Sequence, residues 1–488
     1  MDVRTLAPRR IASVADLLDV LNPSQHNALA GLPITGYAVD SRMVQPGQVF
    51  VAIPGAHQDG HNFVAAALQA GASACLVQRK ESLEQHQHCI LTDNSVEALA
   101  ALAAAHRKSL PARLVAITGS VGKTTTKEIL HQLIATQTNA RKTLGNFNST
   151  IGLPIQILAM QPSDEWMICE MGMSTPGEIA QLMKITEPAI GLWTSVQAVH
   201  LAHFDSLEGI AAAKAEMVEY LPPGSTLVFN GDDPMVVKHA SNFAGRKIRY
   251  SFQDGKAEVC ARISAPGDWR GQPFEMRFDN QNWLRFHLPL PGRYNVHNAV
   301  AAAATAFAMG IAPQELAQPF RRIQPEKGRS QLFQFASDIL LVDDSYNANP
   351  YAFSQVLRAF AGLSETSYRW LICGDMLELG PREVFFHQEL GREAASMGFD
   401  RISFVGALSR FAYHAYLQQG DARGSTGGSA SVPPSGTAEH FPDVSRALEL
   451  LEREIPAHAR IWIKASRGIH LERLAEKMIA KLDAKGGA

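Results

Sequence analysis

The chain has 488 residues, 46% of them hydrophobic and 19% charged, which is the composition of a globular protein too long for a single ordinary core. With 45 basic and 47 acidic residues the formal net charge is -2. That balance removes any bulk attraction to nucleic acid or anionic lipid, and leaves open a local site for a phosphorylated small molecule.

Met1 to Leu21 carries charges throughout and lacks the apolar stretch of a signal peptide, and later apolar runs are short. No membrane insertion and a cytoplasmic location are therefore expected. Cys75, Cys89, Cys169, Cys260 and Cys373 show no CxxC spacing, which suits buried, reduced thiols and argues against zinc or a disulfide framework. In chain order, a helix is expected after Ser13, strands at YAVD and VFVAIPG, a helix from Asn62 to Ala70, and a strand at ACLV. A helix from Ser95 to His106 follows, with Ser95 as its N-cap and Pro111 beyond its end.

The next block opens with the strand LVAITG and the helix TTTKEILHQLIATQ, then the buried-strand runs WMICEMG, AIGLWTSV and STLVFNGDD. Apolar runs alternating with helices imply a mainly parallel sheet. After Lys247 the strands KIRYSF, AEVCARI, PFEMRF and WLRFHLPL come close together, which reads as an antiparallel β addition. An Ala-rich helix from Asn298 to Met309 and a break at Gly310 to Pro313 end the block. A third block repeats the α/β rhythm with DILLVDDSY, YRWLICGD, RISFVG and RIWIKASRG, interrupted by a Gly/Ser/Pro-rich surface loop from Gly420 to Gly436. The expected fold is α/β in three domains, 1–108, 109–312 and 313–488. The middle one is a P-loop domain carrying the antiparallel addition, and the last is Rossmann-like.

The run Ile117-Thr118-Gly119-Ser120-Val121-Gly122-Lys123-Thr124-Thr125 lies between strand and helix. Its glycines let backbone N–H groups wrap phosphate, the helix N-terminus adds partial positive charge, and Lys123 adds a full one. Thr124 is placed to ligate the magnesium that accompanies ATP. Ile117 stands where the longer phosphate-loop pattern has glycine, so the match is to the shorter GxxGKT form. Glu170 ends the strand WMICE, a natural place for a magnesium ligand beside such a loop.

Other groups stay open on pattern alone. His200 and His203 follow the strand AIGLWTSV and could bind metal or substrate, or be structural. Lys214 sits in the helix EGIAAAKAEMVEYL, where a solvent-facing lysine is the plain reading and burial the alternative. Asp343-Asp344-Ser345-Tyr346-Asn347-Ala348-Asn349-Pro350, Gly374-Asp375-Met376-Leu377-Glu378 and Lys464-Ala465-Ser466-Arg467-Gly468 all occupy strand ends, where ligands bind in open α/β sheets. Asx-turn chemistry accounts for Asn349-Pro350 but not for the whole run.

Together these motifs resemble the Mur ligase family along nearly the whole chain. Asp40-Ser41-Arg42 with Gln45-Pro46-Gly47 and Gly60-His61 resembles its uridine-nucleotide domain. Gly145-Asn146-Phe147-Asn148 with Ile151-Gly152-Leu153-Pro154, Gly292 to Ala299, Lys327-Gly328-Arg329, DDSYNANP, GDMLELG with His387, and KASRG resemble its later signatures. DDSYNANP and GDMLELG point within the family to addition of D-alanyl-D-alanine, and the DNPR signature of the diaminopimelate-adding relatives is absent where GDMLELG stands. The resemblance implies an ATP-dependent ligase that forms an acyl phosphate on a UDP-N-acetylmuramoyl-tripeptide and passes it to D-Ala-D-Ala. Gly119, Ser120, Gly122, Lys123, Thr124 and Thr125 would hold ATP, with Asn295 and Asn298 at adenine and Arg329 and Asp344 reaching over from the third domain. Thr124, Glu170, His200 and a carbamoylated Lys214 would hold magnesium, as a pair of ions. Ser41, Arg42, Asn146, Asn148, Asn347 and Asn349 would contact substrates. A monomer is expected.

The chain departs from the family pattern at Ala202, where an acid is usual, at His203 and Asp205, and at Ser149-Thr150. Two alternatives remain: a Mur-type amide ligase with a different acceptor, and a P-loop ATPase or binding module. The absence of an LSGGQ-like run argues against a transport ATPase.

Overall fold

The β-branched and aromatic apolar runs become strands and the Ala-rich runs become helices in the computed structural model, and the strands assemble into three sheets. The structure describes all residues except 1, 2, 4, 5, 22–28, 56, 57, 199–203, 205, 364–367, 425–435, 487 and 488. The first sheet is parallel throughout, in the order β1 (Gly36–Ala38), β2 (Gln48–Val51), β3 (Ala74–Val77) and β4 (Cys89–Leu91). Its last strand leads into the helix Ser95–Lys108. That helix is capped by Asn94, whose side chain accepts from the N–H groups of Val96 and Glu97, and not by Ser95 as expected. Ser95 is buried inside the first turn, so the exposed amide one residue earlier takes the cap.

The central sheet has nine strands: β5 (Arg113–Thr118), β6 (Ala140–Lys142), β7 (Trp166–Glu170), β8 (Ile190–Trp193), β9 (Thr226–Asn230), β10 (Arg246–Ser251), β11 (Val259–Ile263), β12 (Gln272–Phe278) and β13 (Leu284–Leu288). Their order is β13-β12-β11-β10-β9-β8-β5-β7-β6. β5 is flanked by β8 on one side and β7 on the other, so the winding reverses around it and a crevice opens at its C-terminal end. The antiparallel addition starts later than expected. β10 pairs parallel with β9 and β11 parallel with β10, and only β11–β12 and β12–β13 are antiparallel. Segment 252–258 does not reverse the chain; it leads on from Ser251 so that β11 meets β10 only at Tyr250↔Val259 and Ser251↔Cys260.

The third sheet runs β14 (Gln331–Phe335), β15 (Ile339–Asp344), β19 (Arg460–Lys464), β16 (Arg369–Gly374), β17 (Arg401–Val405) and β18 (Thr437–Phe441), with only β14 antiparallel. The helix Ser409–Gly424 extends into the stretch expected to be a loop from Gly420, while 425–435 lie outside the described residues. All five cysteines are buried and free.

Packing joins these sheets unequally. One continuous apolar cluster contains Val49 and Leu76 of the first sheet, Leu99 and Leu102 of the helix Ser95–Lys108, and Leu153, Ile179 and Met183 beside the central sheet. The third sheet has its own core on each face. Into one of them projects Trp269, from the connection between β11 and β12, with its ring 5.2 Å from Phe360 and 5.8 Å from Trp462. The covalent link between the central and third sheets lies along the helix Lys123–Ile134. Gln132 there donates its side-chain amide to Gln324 O and accepts from Gln324 N, both at 2.8 Å.

Candidate active site

The loop after β5 is shaped by its glycines. Gly119 and Gly122 have φ of 147° and 85°, and a Cβ on them would collide with Thr194 Oγ1 and Asn298 Oδ1 respectively. The loop is pinned to the segment after β8: Ser120 N–H donates to Ser195 O at 2.8 Å, and Thr194 Oγ1 donates to Val121 O at 2.7 Å. Gly122 takes the N-cap position of the helix Lys123–Ile134 and has no side chain to cap it. The first-turn amides therefore face the crevice with the positive end of the helix behind them.

Lys123 folds over this loop, its Nζ donating to Gly119 O at 2.7 Å. Burial pushes its pKa down, the Glu170 carboxylate opposes that, and the Arg329 charge adds to it. Thr124 Oγ1 donates to Glu170 Oε1 at 3.1 Å, and Asn148 Nδ2 donates to the same oxygen at 3.0 Å. Glu170 is positioned by register, since Ile117 of β5 lies beside it on β7, and by its N–H, which donates to Thr143 Oγ1 at 3.0 Å. Its other oxygen, Oε2, is buried without a hydrogen bond. It lies 3.4 Å from Nζ of Lys127, a fully buried lysine one helical turn beyond Lys123.

These donors fit magnesium. A threonine hydroxyl and an under-used carboxylate are hard oxygen ligands, and magnesium keeps several waters and phosphate oxygens and so needs few protein groups. Among the described residues no group of three or more His, Cys, Asp or Glu side chains converges in the manner of a zinc site. His200, with Ala202, His203 and Asp205, lies outside the described residues.

Lys214, in the helix Leu207–Tyr220, is 1% exposed, so the solvent-facing reading is wrong and the buried one right. No hydrogen bond reaches its Nζ from the described residues. Burial pushes its pKa well down and the charge of nearby Lys123 pushes it further.

A cavity of about 590 Å³ opens from the phosphate loop and is walled on its far side by the third sheet. It gathers Ser120, Gly122, Lys123, Thr124, Thr125, Asn146, Asn148 and Glu170 with Asn295, Asn298, Arg329, Asp344, Asn347 and Asn349. The helix Arg293–Ala308 begins a turn earlier than expected, at Gly292 with φ 90°, which puts Asn295 and Asn298 on one helix end. Asn298 lies against Gly122, while Asn295 is buried and donates to Pro291 O at 2.8 Å. Arg329 reaches Thr124 Oγ1 at 3.4 Å and packs over the Tyr346 ring at 4.1 Å. Asp344 accepts from Lys464 Nζ at 2.7 Å and from Ser330 N–H at 3.1 Å. Asn349 caps the helix Pro350–Gly362 by accepting from Ala352 N–H, and Asn347 Oδ1 accepts from Ala348 N–H at 2.9 Å. Ser41 and Arg42 are not in this cavity. They form a turn at the end of β1, with Arg42 Nη2 2.6 Å from Asp40 Oδ2.

Two motif residues turn out to be supports. Asp375 accepts from Leu408 N–H, Ser409 N–H and Ser409 Oγ–H, and His387 accepts from Met376 N–H at 3.0 Å while donating Nδ1–H to Glu383 O. They hold the GDMLELG loop in place. Lys127 was missed in the sequence; its place four residues after Lys123 in TTTKE, on the same helix face, was the available signal.

A phosphate loop at the switch point of a parallel sheet, with a carboxylate on its threonine and a third sheet closing over it, defines a nucleotide-binding P-loop enzyme of three sheets. Comparison with known proteins narrows the class. The Mur ligase middle domain matches residues 117–306, the Mur ligase glutamate ligase domain residues 328–467, and the Mur ligase family catalytic domain residues 33–116. The chain is 31% identical over 480 residues to the UDP-N-acetylmuramoyl-tripeptide--D-alanyl-D-alanine ligase of Bacillus subtilis (strain 168), spanning 96% of this chain and 98% of that one. It is 32% identical over 471 residues to the enzyme of the same name from Escherichia coli (strain K12), with the same two coverages, 96% and 98%. Among solved structures, a MurF from Acinetobacter baumannii superposes with a TM-score of 0.84 at 25% identity, covering 97% of this chain and all (100%) of that one. The MurF ligase of Thermotoga maritima in complex with ADP gives 0.78 at 26% identity, covering 94% and 100%. The chain belongs to the Mur ligase family, whose members are ATP-dependent amide ligases.

Proposed function

We propose that the chain joins D-alanyl-D-alanine to a UDP-N-acetylmuramoyl-tripeptide through an acyl phosphate made from ATP, as a cytoplasmic monomer. Support comes from full-length similarity to ligases that carry this name. The single observation that carries the chemistry is the Thr124–Glu170 pair at the phosphate loop, facing third-sheet residues across one cavity. We assign residues 1–108 to the UDP-sugar peptide, with Ser41 and Arg42 at its nucleotide, 109–312 to ATP, and 313–488 to closure and the acceptor.

Joining a carboxylate to an amine in water is uphill, and transfer of the γ-phosphoryl group to the carboxylate sets one anion against another. Lys123 swings from Gly119 O to the β- and γ-phosphates, and the first-turn amides of its helix hold the chain of phosphates. Asn295 and Asn298 bound the adenine side, and Arg329 and Asp344 bring the third sheet to the nucleotide. Thr124 and Glu170, with His200, would hold magnesium, which when bound supplies positive charge at the phosphoryl group being transferred. Asn146 and Asn148 orient the tripeptide carboxylate, and Asn347 and Asn349 the acceptor. The dipeptide amine then attacks the acyl carbon, the C–N bond forms, phosphate leaves with the C–O bond electrons, and the amine proton is lost. Water destroys an acyl phosphate, so walls drawn from two sheets that exclude it are part of the catalysis.

Lys214 fits a carbamate. A lysine kept neutral by burial can add CO2 through its nitrogen and lose a proton, giving an anion beside the cationic loop. Lys214→Ala is expected to be inactive and partly rescued by short carboxylic acids; full unaided activity would remove the carbamate from the mechanism.

The deciding assay measures phosphate release with UDP-N-acetylmuramoyl-tripeptide and either D-Ala-D-Ala or single amino acids, with the product identified by mass. Release that ignores the amine, or a product one residue longer, refutes the assignment.

A further inference from the structure

The cations of the cavity differ in what they already hold. Lys464 is paired with Asp344 at 2.7 Å, Arg329 reaches Thr124 Oγ1 at 3.4 Å, and Lys123 closes on Gly119 O at 2.7 Å. Arg467 is different. It stands in the short turn after β19, exposed toward the cavity, and like Lys123 and Arg329 it has no carboxylate paired with it among the described residues, but unlike theirs its hydrogen bond does not go to the phosphate loop. Its contacts are with one side chain: Nη1 donates to the Tyr346 hydroxyl at 3.0 Å, and its guanidinium lies 5.1 Å from the Tyr346 ring centre. The same ring carries Arg329 at 4.1 Å. Tyr346 therefore spaces two guanidinium groups, one committed to the phosphate loop and one with its charge unspent.

A charge held in place by an aromatic ring and a hydroxyl, yet lacking an acid, is prepared for an anionic ligand. The nucleotide has Lys123, Arg329 and the helix end. A dipeptide acceptor brings another anion. Its amine must reach the acyl carbon, so its carboxylate sits about 7 Å away, the length of two extended residues. Left without a cation where closing walls exclude water, that carboxylate would oppose binding. We propose that Arg467 is the subsite for the terminal carboxylate of the dipeptide acceptor, with Tyr346 as the residue that positions its guanidinium. The inference rests on the function proposed above and explains selection of a dipeptide, because a single amino acid cannot place its amine and carboxylate at both ends of that span.

The test is a two-by-two comparison of steady-state kinetics on the full chain, wild type against Arg467→Ala, with D-Ala-D-Ala against its C-terminal carboxamide. Loss of a charge-assisted pair is expected to raise KM for D-Ala-D-Ala about 10- to 100-fold in Arg467→Ala. The wild type is expected to prefer the acid over the amide by a similar factor and the variant to lose that preference, with KM for ATP unchanged. Arg467→Lys is expected to recover part of the preference. A variant that still prefers the acid as strongly as the wild type, or a wild type indifferent to the amide, overturns the subsite while leaving the ligase assignment intact. A wild type idle with D-Ala-D-Ala and active with another amine overturns both.

Discussion

The joint between the first and central sheets and the joint between the central and third sheets are built differently. The first is a continuous apolar core in which Leu99 and Leu102 from one side pack with Leu153, Ile179 and Met183 from the other. The second is made of Trp269 seated in a foreign core with Tyr294 packed against it, a hydroxyl pair between Tyr294 and Ser330 at 2.8 Å, an amide clamp at Gln132 and Gln324, and polar groups facing each other across a cavity. A close-packed joint cannot slide without opening voids, whereas a joint of a few discrete contacts can change state by breaking them singly. The difference suits an enzyme whose nucleotide-sugar end stays fixed to the ATP loop while its acceptor end closes over it.

The largest effect should come from the plug. Trp269→Ala removes an indole that is 2% exposed and packed on Phe360 and Trp462, and should cost about 3–5 kcal/mol. Urea unfolding followed by fluorescence of the remaining tryptophans would show the third unit melting first. A loss under about 1 kcal/mol would mean that the second joint is held elsewhere. Next is Lys123→Ala, which should lower turnover at least about 100-fold, or about 2.7 kcal/mol of barrier, with the melting transition little changed. Near-normal turnover would count heavily against the phosphate loop as the reaction centre. Smaller again, Gln132→Ala should cost about 1–2 kcal/mol by removing two neutral hydrogen bonds to Gln324. Hydrogen exchange around Gln324 should rise while exchange in the helix Ser95–Lys108 stays as it was. Equal changes in both would erase the contrast between the joints.

Much of this was legible in the sequence because it depends on local chemistry. The phosphate loop declares itself through Gly119, Gly122 and Lys123, and strand runs such as WMICE place Glu170 at a strand end with no further information. What was not legible depends on neighbours far along the chain. Nothing around Trp269, in a stretch of Gly, Pro and Asp, says that its ring belongs to a core built from residues 340–462. Ser95 and Asn94 are both fair caps by type, and burial of Ser95 decides between them. β10 carries the pattern of an antiparallel meander, yet segment 252–258 carries the chain forward, and pattern alone does not reveal direction. Lys214 reads as a surface lysine because its helix also carries Glu208, Glu216 and Glu219, and small residues around the lysine do not settle which face is covered.

The subtlest contrast between the joints is in their response to acid. His106, at the first joint, accepts from Ile11 N–H through Nδ1 at 3.1 Å and donates Nε2–H to Met160 O at 3.1 Å, so the bonds fix a neutral ring. Burial lowers its pKa below 6.5, the Met160 bond opposes this, and the charge of Arg10 adds to it. A lowered folded pKa means that the unfolded chain takes up a proton first as pH falls. The stability from neutral His106 is thus complete above about pH 6.5 and drains away below it, toward the folded pKa. His106→Gln should therefore destabilise the protein by about 1–2 kcal/mol at pH 7.5, through its two lost bonds, and by less at pH 5.5, where the wild type has already lost part of that advantage. Gln132→Ala removes no titrating group and should cost the same at both values. A cost for His106→Gln that is flat across the range would mean the imidazole is not held neutral, and the packed joint would then owe its acid response to some other group.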